Sequence, residues 1–117
     1  MVIQDEIKRN SKEFEILCRN HKVKKLFAFG SGVTSQFDSV NSDFDFLVEL
    51  DITDPIEKGE TLLSLWDKFE LFFNRKVDLL TNTSLRNPYL KREIESTRKL
   101  IYDGSGKKIP GRYYALN

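Results

Sequence analysis

The sequence predicts a small α/β (α+β) domain, and three observations carry that prediction. Two short apolar runs, Leu26 to Phe29 and Phe44 to Leu50, read as buried strands. Longer segments around them repeat apolar residues at helical spacing. The later strand-like runs also carry aspartates, Asp43 and Asp45 in one and Asp78 in another, where alternation and burial alone would favour apolar or β-branched residues.

Each element follows from local pattern. From about Gln4 to Asn20, Ile3, Ile7, Phe14, Leu17 and Cys18 recur at helical spacing among Glu, Lys and Arg, so one amphipathic helix is expected. His21 beside Lys22 reads as a solvated loop residue. "VKKLFAFGS" is apolar on both sides from Leu26 to Phe29, as a central strand covered on both faces should be, and Gly30 and Ser31 end it. "GVTSQFDSVNS" is rich in turn residues, and "DFDFLVEL" predicts a second strand over Phe44 to Leu50. Asp54 and Pro55 restart the chain as a helix over Ile56 to Phe73. Pro55 suits its first turn, and Leu62, Leu63, Leu65, Trp66, Phe69, Phe72 and Phe73 form a wide stripe read mostly as core. "RKVDLLT" predicts a third short strand over Lys76 to Leu80. Asn87 and Pro88 cap and open a helix, and "LIYDG" follows as a short strand or extended end.

Length and composition bound the function. At 117 residues the chain is expected to be one domain, and 39% apolar with 32% charged residues is ordinary soluble composition without a membrane-spanning run. The N-terminus mixes acids and bases from the start and lacks the zones of a signal peptide, so cytoplasmic residence is expected. Cys18 is the only cysteine, which excludes an internal disulfide and a zinc site built on several thiolates. A formal net charge of +1 gives no strong nucleic-acid signal.

The chemistry sits in the aspartates. Successive strand side chains point to opposite faces, so Asp43 and Asp45 share one face while Phe44, Phe46 and Val48 share the other. Two converging carboxylates raise each other's pKa unless a cation keeps both ionised, and an oxygen-only set without a nearby histidine favours magnesium. Asp78 offers a third carboxylate from a neighbouring strand, and three can hold two ions roughly 3.5–4 Å apart. Gly30 lets a backbone come close to a ligand, and Ser31 with the following amides can bind phosphate oxygens. Asp43 alone also fits a turn cap after Asn41 and Ser42.

"FGSG" at Phe29 to Gly32, "SDFDFLV" at Ser42 to Val48 and "KVDLL" at Lys76 to Leu80 resemble the minimal nucleotidyltransferases (MNT) of the DNA polymerase beta superfamily. The resemblance spans about Leu26 to Asp103 and implies a domain over 1–103, with a tail over 104–117 whose order is left open. It implies a small mixed sheet flanked by helices, Gly30 and Ser31 on the nucleoside triphosphate, and Asp43, Asp45 and Asp78 as catalytic ligands of two Mg2+ ions. Asp78 would also help deprotonate the acceptor hydroxyl. The reaction implied is transfer of AMP from ATP, or of another nucleotide, to a hydroxyl. Chains this short resemble MNT antitoxins, whose partner is a small helical HEPN-type toxin modified on a tyrosine. Homo- or hetero-oligomers are both compatible with that. Many members carry alanine, arginine and glycine after the Gly-Ser pair, whereas here "GVTSQ" places Val33, Thr34 and Ser35, without the basic residue. The alternative is therefore an antitoxin with little or no catalysis that neutralises its partner by binding alone.

Three further features have two readings each. The stripe holding Trp66, Phe69, Phe72 and Phe73 is core or a partner surface. Lys91, Arg92, Arg98 and Lys99 form a solvated face or meet an acidic partner or nucleic acid. Tyr113 and Tyr114 are tail residues or hydroxyls for self-modification.

Overall fold

The computed structural model describes residues 2–30 and 43–104. The N-terminal segment forms two helices, α1 (Val2–Arg9) and α2 (Ser11–Asn20), in place of the single one expected. Asn10 leaves helical geometry at φ −137° and ψ 48°, yet its N–H donates to the Ile7 carbonyl and its own carbonyl accepts from Phe14 N–H. The chain thus bends through one residue while keeping its hydrogen bonds. Ile3, Ile7, Phe14 and Cys18 all enter the same core, so their spacing looks unbroken in the sequence.

The chain continues as β1 (Val23–Phe29), β2 (Phe44–Leu50), α3 (Pro55–Phe73), β3 (Val77–Leu80), a short 3-10 turn at Asn82–Ser84, α4 (Pro88–Thr97) and β4 (Lys99–Asp103). Local chemistry sets the helix boundaries. The Asp54 carboxylate accepts from Glu57 N–H at 2.9 Å ahead of Pro55, and Asn74 ends α3 in the left-handed region at φ 51°. Asn87 caps α4 by accepting from the N–H groups of Tyr89 and Leu90.

Among the described residues the strands make one sheet in the order β3-β2-β1-β4. β1 runs antiparallel to β2 and to β4, while β2 and β3 are parallel and joined by the α3 crossover, so the sheet is mixed as expected. β1 is central as predicted, but Phe27 and Phe29 on its second face are only half-buried.

Helices α1, α2 and α3 cover one face. There Leu26, Ala28, Phe44, Phe46, Val48, Val77 and Leu79 meet Ile7, Phe14, Leu65, Phe69 and Phe73 in one core. Phe73 lies 5.1 Å from Phe44 and 5.4 Å from Phe46, ring centre to ring centre. Each fully buried ring stabilises the fold by about 2–3 kcal/mol. On the second face Leu47 is buried, as is Ile94 of α4. Leu63, part of the predicted core stripe, is 68% exposed, because the stripe is wider than the face α3 presents to the sheet. His21 sits in the turn after α2, as expected, but is half-buried and bonded: its Nδ1 meets the Leu17 carbonyl at 2.8 Å and its Nε2 meets Ser64 Oγ at 2.9 Å, tying the end of α2 to α3. No helix among the described residues is long and apolar enough to cross a membrane.

Candidate functional site

Strand register brings the distant aspartates together. β2 pairs Asp45 with Asp78 across the parallel ladder and with Phe29 across the antiparallel one. Because Phe44 and Phe46 point into the core, Asp45 points to the second face, and by the same alternation Asp78 does too. The Phe44 N–H donates to the Lys76 carbonyl at 3.2 Å, which continues the ladder toward Asp43. The aromatic packing beneath β2 therefore holds the strand that aims Asp45.

Gly30 follows Phe29 with φ +73°, a region unfavourable for residues with a Cβ. A Cβ there would stand 2.5 Å from Asp45 Oδ2, closer than real Cβ contacts come. The glycine is required twice, by the turn and by the carboxylate lying over it. The sequence pointed to room for a ligand at this position; among the described residues that room is used by Asp45.

Electrostatics follow from this crowding. Burial first, then the Asp78 and Asp43 carboxylates, push Asp45 up from its ordinary value to about 6. Both other acids are thus close enough for their charge to reach Asp45. Among the described residues no three His, Cys, Asp or Glu side chains close into a ready metal cage. The acids line one patch of sheet surface, and a hard cation held there would need to complete its ligands from water and substrate phosphates, as magnesium commonly does. The donor set and the raised Asp45 pKa both fit such an ion.

α3 fixes the third acid through its neighbour. The Glu70 carboxylate accepts from Val77 N–H at 3.0 Å, and Trp66 Nε1 donates to the Val77 carbonyl at 2.7 Å. Trp66 and Glu70 stand one helical turn apart, so a single face of α3 satisfies both backbone groups of the residue before Asp78 on this edge strand. Trp66 also packs against the core, in agreement with its core reading. Ser31, Val33, Thr34 and Ser35 lie outside the described residues, as do Tyr113 and Tyr114. Arg98 is a residue that sequence reasoning grouped with a solvated face and the fold does not: its guanidinium lies 4.1 Å above the Phe27 ring, on the face that carries the aspartates.

The profile of a family described as "Nucleotidyltransferase domain" matches residues 11–101. The chain belongs to this family. The three segments on which the resemblance rests all fall within that match, and the chain is accordingly an enzyme of the nucleotidyltransferase class. Two proteins of Methanocaldococcus jannaschii, both carrying the name "Putative protein adenylyltransferase" (MJ1379 and MJ0126), are similar to it. One is 38% identical over 97 residues, covering 83% of this chain and 91% of the relative. The other is 33% identical over 100 residues, covering 86% and 93%. Among solved structures, a mutant form of the toxin-antitoxin MntA-HpeT aligns with TM-score 0.58 at 20% identity over 80% of this chain and 73% of that chain. A toxin-antitoxin structure with AMP-PNP aligns with TM-score 0.57 at 21% identity over 87% and 74%. The nucleotidyltransferase thus has the fold of MNT proteins, a four-stranded mixed sheet with helices.

Proposed function

We propose that this nucleotidyltransferase moves AMP from ATP to a protein hydroxyl, a tyrosine of a small helical HEPN-type toxin, and so serves as its antitoxin in the cytoplasm. The observation that carries the reading is the cross-strand pairing of Asp45 with Asp78 beside a left-handed Gly30. The names of the relatives support protein as the acceptor, and the structural neighbours support a toxin partner and an adenine nucleotide.

In this reading Asp43 and Asp45 hold magnesium, Asp78 completes the site for a second ion, and the ions when bound neutralise phosphate charge and lower the pKa of the acceptor hydroxyl. Gly30 and Ser31 present backbone to the triphosphate. The acceptor oxygen forms a bond to the α-phosphorus as the bond to the bridging oxygen breaks. Pyrophosphate leaves with that electron pair, and the hydroxyl proton passes to an Asp78 carboxylate oxygen. Positioning and charge neutralisation suffice, since no covalent enzyme intermediate is needed. Neutralisation of the toxin by binding alone is favoured by one observation, the absence of a basic residue from Gly32 to Gln36.

Intact-mass analysis separates the two readings. The protein is incubated with magnesium, each nucleoside triphosphate and a HEPN-type partner. A gain of one nucleoside monophosphate on the partner, lost with Asp45→Asn, is the expected result. A stable complex with no mass gain on either chain would refute transfer and leave neutralisation by binding.

A further inference from the structure

Three carboxylates on one patch repel a triphosphate as surely as they attract a cation, so the site needs positive charge from the protein as well. We propose that Arg98 supplies it, as the side chain that grips the polyphosphate of the nucleotide. The inference rests on the nucleotide-transfer reading above and adds to it a binding residue from the opposite edge of the sheet, on the same face.

The strand register leads to this residue. β4 pairs Leu100 with Phe27 and Lys99 with Ala28. Continuing that antiparallel register by one residue sets Arg98 opposite Phe29, whose partner on the other side is Asp45, whose partner in turn is Asp78. Arg98 has already left the helix, with extended backbone at φ −63° and ψ 145°, and its N–H donates to the Ile94 carbonyl at 2.8 Å. One row across the sheet therefore reads Arg98, Phe29, Asp45, Asp78. Two strand intervals, about 10 Å, separate the backbones of Arg98 and Asp45. In the row Arg98 and Asp78 flank Asp45 from opposite sides, so Arg98 stands toward the phosphate that leaves and Asp78 toward the hydroxyl that attacks.

Side-chain geometry supports the same role. The guanidinium stacks on Phe27 at 4.1 Å, and Arg98 is half-buried. Stacking engages the flat face of the cation and leaves its in-plane N–H donors for an anion, the arrangement in which arginine recognises phosphate. Among the described residues Arg98 takes part in no ion pair. Lys25, also on this face, stands four residues back from Phe29, in register with Glu49 and Asp103 rather than in the row that holds Asp45. Arg98 therefore offers, from the other end of the chain, the basic contact that Val33, Thr34 and Ser35 do not.

The test is calorimetric titration of the full chain with ATP, AMP and inorganic pyrophosphate in the presence of magnesium. Arg98→Gln should weaken ATP and pyrophosphate roughly tenfold or more, the loss of a charge-assisted contact, and leave AMP within about twofold. Arg98→Lys should fall between, and Lys99→Gln, which changes an exposed charge paired with Ala28, should match wild type. Melting temperatures of all variants establish that they fold. Wild-type binding of ATP with an equal affinity in Arg98→Gln would overturn the assignment of Arg98 and leave the transfer reading standing. Failure of wild type to bind any nucleoside triphosphate would overturn both.

Discussion

Replacing Asp45 by asparagine should make the metal-free protein more stable while abolishing its activity. The carboxylate is pushed from 3.8 to about 6 in the folded chain, so the folded state prefers its neutral form. Stability from that preference is complete below the ordinary value and is lost as pH rises through the folded one. Wild type therefore loses stability between about pH 4 and about pH 6, whereas the asparagine variant, which has nothing to titrate there, does not. A shift of this size corresponds to a ceiling of about 3 kcal/mol. Asp45 is only half-buried, and solvent screening reduces the expected gain to about 1 kcal/mol, or roughly 4 °C in melting temperature for a chain of this length. The assay is thermal unfolding of both proteins with a chelator across that pH range. The two curves should coincide at the acid end and separate in favour of the variant above pH 6. On the proposed assignment of Asp45 as a metal ligand, adding magnesium should raise wild type alone, since only its folded state would carry the full ligand set. Equal melting temperatures at about pH 8, or a gap that does not change with pH, would refute the account of a carboxylate raised by burial and by its acidic neighbours.

Other substitutions test the supports of the site. Gly30→Ala places a methyl group against Asp45 Oδ2 and a Cβ in left-handed geometry, so a loss of about 1–3 kcal/mol by chemical denaturation and a collapse of transfer are expected. Glu70→Ala leaves the Val77 N–H without its acceptor and should cost about 1–3 kcal/mol, whereas Glu70→Gln, which keeps a carbonyl oxygen in place, should restore most of both stability and turnover. Phe46→Ala empties the core beneath Asp45 and should cost about 3–5 kcal/mol in urea unfolding.

Much of the architecture was legible where local chemistry is decisive. The bounds of β2 and the starts of α3 and α4 agree with expectation, the helices because Asp54 with Pro55 and Asn87 with Pro88 write their starts directly into the chain, whereas α4 ends at Thr97, short of the Arg98 to Leu100 stretch that its pattern included. The break at Asn10 was hidden because α1 and α2 bury their apolar residues in one core, which preserves the period across the bend. Asp43, Asp45 and Asp78 could be singled out because a carboxylate inside an apolar run is conspicuous. Strand alternation also set Asp43 and Asp45 on one face and offered Asp78 from a neighbouring strand, but the direct pairing of Asp45 with Asp78 could not be read, since it depends on which strands pair and in what register. Arg98 was lost among Lys91, Arg92 and Lys99 for the same reason: nothing local tells a charge at the end of α4 that β4 will lie beside β1. The clamp on Val77 escaped notice because Glu70 resembles any surface acid until the helix is laid against the strand.

The parallel pairing of β2 with β3 has a consequence for when the protein becomes competent. Asp45 and Asp78 meet only after the chain has left β2, traversed all of α3 and returned, and such long crossovers close late because loop entropy must be overcome before contacts compensate it. The β1 and β2 hairpin with its left-handed Gly30 can assemble beforehand, but it holds only part of the acidic patch. A nascent or half-folded chain would accordingly hold nucleotide poorly and transfer nothing, and in pulse-labelled hydrogen exchange protection of the Phe44 amide, which donates to Lys76, and of the Asp78 amide should rise together in the last folding phase, after that of the Asp45 amide, which faces β1.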